Sequence, residues 1–213
     1  MGIFDWFKRD GPIADRTALI DFIDTRAAYI VQKGIFEFAH ACTGLSFASL
    51  MKEQPFVDAM DEARWRSYPL GLFVVTEMVD GVLRPLANGA MPLAEALRGA
   101  ALAAFDRYPV PAKLGADFWM TAREALGQRV MGIALHPPKA VKDIPLAVAN
   151  QFHANMPIHQ SMRGDDREIV LNHFRMNLVR THDDFDRRVD ATALVAELGV
   201  VRSEGESVAG QGR

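Results

Sequence analysis

The chain has 213 residues, 49% of them hydrophobic and 24% charged, with a formal net charge of -3 and a pI near 6.1. These values are those of a globular chain at a length that favours one domain, and the even spread of acids and bases excludes the basic clusters that grip nucleic acid. The single cysteine, Cys42, excludes an intrachain disulfide, and no apolar run is long enough to span a bilayer; together these fit a cytoplasmic setting.

The opening MGIFDWFKRD lacks the order of a secretory signal and has Trp6 where a myristoylation motif needs Ser or Thr. Ile3, Phe4, Trp6 and Phe7 followed by Lys8 and Arg9 predict one amphipathic turn. It would dock on a partner, touch a membrane surface weakly, or fold back onto the core. After Gly11-Pro12, apolar residues at Leu19, Ile23, Ala27, Ile30, Gly34, Phe38 and Ala41 recur every three or four positions and predict a long helix. Phe22, Val31 and Ile35 add apolar surface on its other sides, so this helix is expected to be central, with Cys42 as a small inert hydrophobe. It should end or bend near Thr43-Gly44, with a further turn over 45–52.

Pro55 opens the next helix, bent at Pro69, through Phe56, Met60, Ala63, Leu72, Val75 and Val79. The run LFVVTEMVDGVLRP also suits a strand entering an Asp80-Gly81 hairpin; Pro85 removes a ladder donor there and no other strand-like run completes a sheet, which favours the helix. After a loop containing Gly89, LAEALRGAALAAFDRY is a run of strong helix formers stopped by Pro109 and Pro111. Leu114, Phe118, Ala122, Leu126, Val130 and Ile133 mark another helix, ended by His136-Pro137-Pro138-Lys139. Asp143 and Pro145 start one that reaches about Asn155. Asp165 with Glu168 forms an acidic variant of a capping box ahead of a helix buried on Val170, Phe174, Leu178, Phe185 and Val189. A short helix over Thr192 to Leu198 ends at Gly199. The reading is an all-α, single-domain bundle of about seven helices with a long central first helix: an aromatic segment over 1–12, a helical domain over 13–199 and a disordered tail over 200–213.

Four of the six histidines lie between Phe152 and His182, yet no H-E-x-x-H or cysteine pair accompanies them, so no metal or other cofactor is expected. Glu37-x-x-His40 has the spacing used in di-iron bundles, without the second copy those sites need. Arg26, Tyr29, Lys33, Glu37 and His40 share a narrow stripe of the first helix, and His173, Asn177, Arg180 and Asp184 share a face of the capped helix. Facing each other, the stripes would form a polar pocket with a histidine beside a carboxylate; facing water, they would be ordinary solvent faces. His182, on the same side as Leu178 and Phe185, reads as a hydrogen-bonded core histidine. Arg64, Trp65, Arg66 and Tyr68 form either a partner-binding aromatic-arginine patch or core aromatics beside solvated arginines.

Nucleophile-elbow, Walker and dinucleotide-binding signatures are absent. The segment from Arg26 to Pro85, with RAAYIVQKGIFEFAHACTG and ARWRSYPLGLFVVTEMVDGVLRP, resembles a group of uncharacterised bacterial helical proteins of similar length, a resemblance that implies no catalytic residue. The expected function is a non-catalytic accessory or protein-interaction role, through a protein partner or self-association. The alternatives are a helical pocket protein for an apolar or amphipathic small molecule, and an enzyme built on Glu37, His40 and His173.

Overall fold

A computed structural model of the chain describes residues 11–158 and 167–201. The aromatic segment with Phe4, Trp6 and Phe7, the Asp165 cap, His159 and residues 202–213 lie outside the described residues. Among those described there are eight α-helices: α1 (Arg16–Thr43), α2 (Phe47–Leu50), α3 (Gln54–Leu83), α4 (Ala90–Phe105), α5 (Ala116–Gly132), α6 (Ala149–Ala154), α7 (Arg167–Arg188) and α8 (Ala191–Glu197). They contain no strand; extended pairing is confined to isolated bridges of Ile13 with Val189 and Ala87 with Val201. The protein is an all-α bundle, one helix richer than expected.

α1 starts where Asp15 Oδ1 accepts the amide of Ala18 at 2.8 Å, which satisfies one of the unpaired donors of a first turn. It stops at Gly44, whose φ of +51° is a conformation that glycine adopts without a Cβ penalty. α3 has Pro55 in its first turn, where a missing amide hydrogen costs nothing, and it runs on through Pro69 as one helix. Asp80 and Gly81 lie in its closing turns, so the hairpin alternative is not realised.

From Ser67 to Asp80 every residue of α3 is buried. The central element expected at α1 is therefore shared. α3 is enclosed on all sides and packs on α1, α4, α5 and α7, whereas α1 keeps a polar face along α7. The two long helices approach most closely at Gly71, where an added Cβ would meet Val31 Cγ2 at 2.7 Å and the carbonyl oxygen of Ala27 at 2.9 Å. One hydrophobic cluster draws side chains from all eight helices, with Phe38, Phe105, Phe152 and Phe185 fully enclosed.

Two boundaries differ from expectation. The helix expected from Asp143 to Asn155 divides into a 3-10 turn (Val141–Ala147) and the short α6, because Pro145 falls inside the turn and cannot donate to an α-helical ladder. The ordered chain also continues past Gly199: Val200 is buried and its carbonyl accepts the amide of Asn88 at 2.8 Å.

Candidate functional site

The α1–α7 seam brings most of the two polar stripes together. Arg26 pairs with Asp184, which also takes Arg187 at 3.2 Å and Arg188 at 3.1 Å. Arg26 and Arg188 flank the Phe22 ring, and Phe22 packs on Phe185 at 5.0 Å. Eleven residues along, Glu37 Oε2 lies 2.7 Å from His173 Nδ1, at ion-pair distance but out of hydrogen-bond alignment. Lys33 donates to the Tyr29 hydroxyl at 3.2 Å and lies 3.6 Å from Glu37 Oε1; the Tyr29 bond, with the charge of Glu37 adding to it, raises the Lys33 pKa above its ordinary value. Lys33, Glu37 and His173 are each about one-third exposed, so solvent screens these pairs. Buried Asn177 donates to the carbonyl of His173 at 2.9 Å, while its own side-chain oxygen has no donor among the described residues. Arg180 is exposed, and His40, also exposed, sits edge-on to Phe47 of α2 at 5.2 Å. His182 is not a core residue: its side chain is partly exposed, 3.6 Å from Asp183.

The aromatic-arginine segment is occupied internally. Trp65 packs edge-on against Tyr68, Tyr108 and Trp119, and Tyr68 is buried. Arg64 lies over the Trp65 ring and pairs with Asp61; Arg66 lies over Phe118 and pairs with Glu62. Beneath them Asp24, 6% exposed, accepts the hydroxyls of Tyr68 at 2.7 Å and Tyr108 at 3.1 Å and a guanidinium proton of Arg107 at 3.1 Å. Burial, reinforced by the Asp24 charge, pushes Tyr108 up to about 12 and Tyr68 further still.

A second polar group was not anticipated. Glu77 and Asp80 are almost wholly buried in α3. Glu77 Oε1 accepts from Lys139 at 2.7 Å and lies 3.7 Å from His136 Nε2, while its Oε2 has no donor among the described residues. Asp80 lies 2.6 Å from Arg84, which donates onward to the carbonyls of Ile133 and His136 at 2.9 and 2.7 Å. The pair thus ties the chain after α5 to the central helix. Its signal was present in the sequence: Glu77 and Asp80 are the only charged residues between Pro69 and Leu83.

Burial raises the Asp80 pKa, Glu77 adds to the rise, and Arg84 opposes it. A folded-state value above the unfolded one gives stability that is complete at pH values below the unfolded carboxyl's and is lost as pH rises through the folded value. Asp80→Asn should therefore gain stability relative to the wild type as pH climbs from about 4 toward neutrality. Parallel Tm profiles for the two proteins across that range would contradict this.

Between α4 and α5 lies an open groove of about 780 Å³. Its apolar lining is Met91, Leu102, Met120, Met131 and Leu135, of which Met91, Met120 and Leu135 are 43%, 63% and 79% exposed. Arg98, Arg123, Glu124 and Gln128 are its polar lining. Arg98 lies against α5 at Gly127, where a Cβ would meet its Nε at 3.0 Å. No group of three or more His, Cys, Asp or Glu among the described residues is placed to hold a metal ion, and no helix among them is long and apolar enough to cross a membrane. Comparison with protein-family models, with curated proteins and with solved structures gives no match for the chain.

Proposed function

We propose that the protein is a non-catalytic interaction module that receives an amphipathic helix of a partner protein in the α4–α5 groove. The observation that carries this reading is the exposure of Met91, Met120 and Leu135 around one concavity. Flexible, polarisable methionines adapt to the apolar face of a helix laid into a groove. A folded chain with a well-filled core exposes these side chains together at a cost that binding would offset.

Photo-crosslinking residues placed at 120 and 135 in the native cell test the reading, with position 32, an exposed site on α1, as control. A discrete protein adduct from the groove positions and none from the control is expected. Capture of small molecules alone would favour the pocket alternative and overturn the interaction reading, as would no adduct at all. Met120→Asp should abolish the adduct at 135 while shifting stability by less than about 0.5 kcal/mol, since its side chain is mostly in water.

A further inference from the structure

Of the four polar residues that line the α4–α5 groove, three are engaged within the protein. Arg123 is held by Asp106 through two hydrogen bonds of 2.7 Å, and Gln128 donates to Glu124 Oε1 at 3.2 Å. Arg98 is the exception: it is exposed, with no hydrogen bond or ion pair among the described residues.

Gly127 makes room for this side chain. The guanidinium reaches from α4 to α5, where a Cβ on residue 127 would lie 3.0 Å from Arg98 Nε and 3.7 Å from one terminal nitrogen. Two acids are close by, Glu95 one turn back on α4 and Glu124 one turn back on α5, and among the described residues Arg98 pairs with neither. The cation therefore stands in a concavity that Met91, Leu102, Met120, Met131 and Leu135 also line. A guanidinium presents coplanar N–H donors that match a carboxylate through two parallel bonds. An apolar face laid into the groove would strip water from Arg98, and an occupant without an opposite charge would leave a desolvated cation unpaired, at a cost in affinity.

Resting on the reading of this groove as the seat of a partner helix, we propose that the helix carries a carboxylate beside its apolar stripe and that Arg98 binds it. The partner segment is thus an amphipathic helix with an Asp or Glu bordering its apolar face. A helix bordered only by lysine and arginine does not fit.

The test starts from the adducts formed at positions 120 and 135. The cross-linked partner peptide, sequenced by mass spectrometry, should hold an Asp or Glu within about one helical turn of the attachment residue. A synthetic peptide covering that segment is then titrated against the full-length protein. Arg98→Glu should raise the Kd about ten-fold or more, the loss of one charge-assisted contact. Lys52→Glu makes the same change in net charge at an exposed site outside the groove lining and should leave the Kd unchanged. Reversing the peptide's acid to Lys should restore binding to Arg98→Glu. Raising NaCl from about 0.05 M to about 0.5 M should weaken the wild type more than Arg98→Gln, which has no charge to screen. Arg98 is exposed, so its replacement leaves the fold intact, as an unchanged Tm will show. Wild-type affinity in Arg98→Glu, equal weakening in Lys52→Glu, or no rescue by the reversed peptide would overturn the acidic contact and leave the helix-binding reading standing. Absence of any protein adduct would overturn both.

Discussion

Gly71→Ala is expected to destabilise the protein by about 3 kcal/mol and to lower its Tm by roughly 10 °C. The new methyl group would sit 2.7 Å from a Val31 methyl and 2.9 Å from the main-chain oxygen of Ala27. Val31 has few rotamers in a helix and the oxygen belongs to the backbone of α1, so neither can yield without moving the helix. Relief would require α1 and α3 to separate along the most extensive helix–helix interface among the described residues.

Gly81→Ala supplies the comparison within the same helix. A Cβ there meets nothing within 4 Å, and alanine restricts the unfolded chain, so this variant should gain roughly 0.5 to 1 kcal/mol. Chemical denaturation of both variants gives the two signs directly. Wild-type stability in Gly71→Ala would mean that the long helices do not meet as described.

Asp24→Ala should cost about 3 to 5 kcal/mol, in the range found when one member of a buried charged network is deleted. The carboxylate holds two tyrosine hydroxyls and one guanidinium from two parts of the chain, α3 and the adjacent pair Arg107 and Tyr108. Without it, Tyr68 keeps only a 3.4 Å approach to the carbonyl of Ala104, and Arg107 keeps Asp21 at 2.6 Å. Asp24→Asn preserves an acceptor and should recover part of the loss. An optical titration of the phenols separates this network from simple cavity formation. Loss of the Asp24 charge should move the Tyr108 transition down from about 12, though not back to the ordinary phenol value, because burial is the larger cause of its rise. An unmoved transition in a folded Asp24→Ala protein would show that the carboxylate does not act on that hydroxyl.

What could be read in advance follows the range of the forces involved. The three- and four-residue spacing from Leu19 to Ala41, the stop at Thr43-Gly44 and the helix formers from Leu93 to Phe105 are local, and each appears where expected. The stripe holding Arg26, Lys33 and Glu37 and the stripe holding His173, Asn177, Arg180 and Asp184 were also visible. That they face one another was not, because two patterns of equal period give no information on the register between helices 158 residues apart in the chain at their Arg26–Asp184 contact. His40 illustrates the limit: it has the right spacing to join the stripe, yet it lies near the end of α1 against Phe47. The α4–α5 groove has no sequence signature, since its lining comes from two helices and the turn after α5, and no local pattern gives their mutual register. Glu77 and Asp80 could have been found by asking what two acids do inside an otherwise apolar run; sorting them by helical face alone hid them.

Main-chain bonds tie the segment ahead of α1 to the end of α7. The amide of Ile13 donates to the carbonyl of Arg188 at 2.9 Å, and the carbonyl of Ile13 accepts the amide of Asp190 at 3.1 Å. Ile13 is 1% exposed, so the segment ahead of α1 is sealed by residues at and just after the end of α7. During translation, α1 leaves the ribosome with Phe22 and the Arg26 stripe uncovered and stays so until α7 emerges. Cooperative folding must therefore wait until α7 has been made, and a nascent chain arrested before Arg167 would be held as a partly covered bundle, with the flank of α1 open to chaperones.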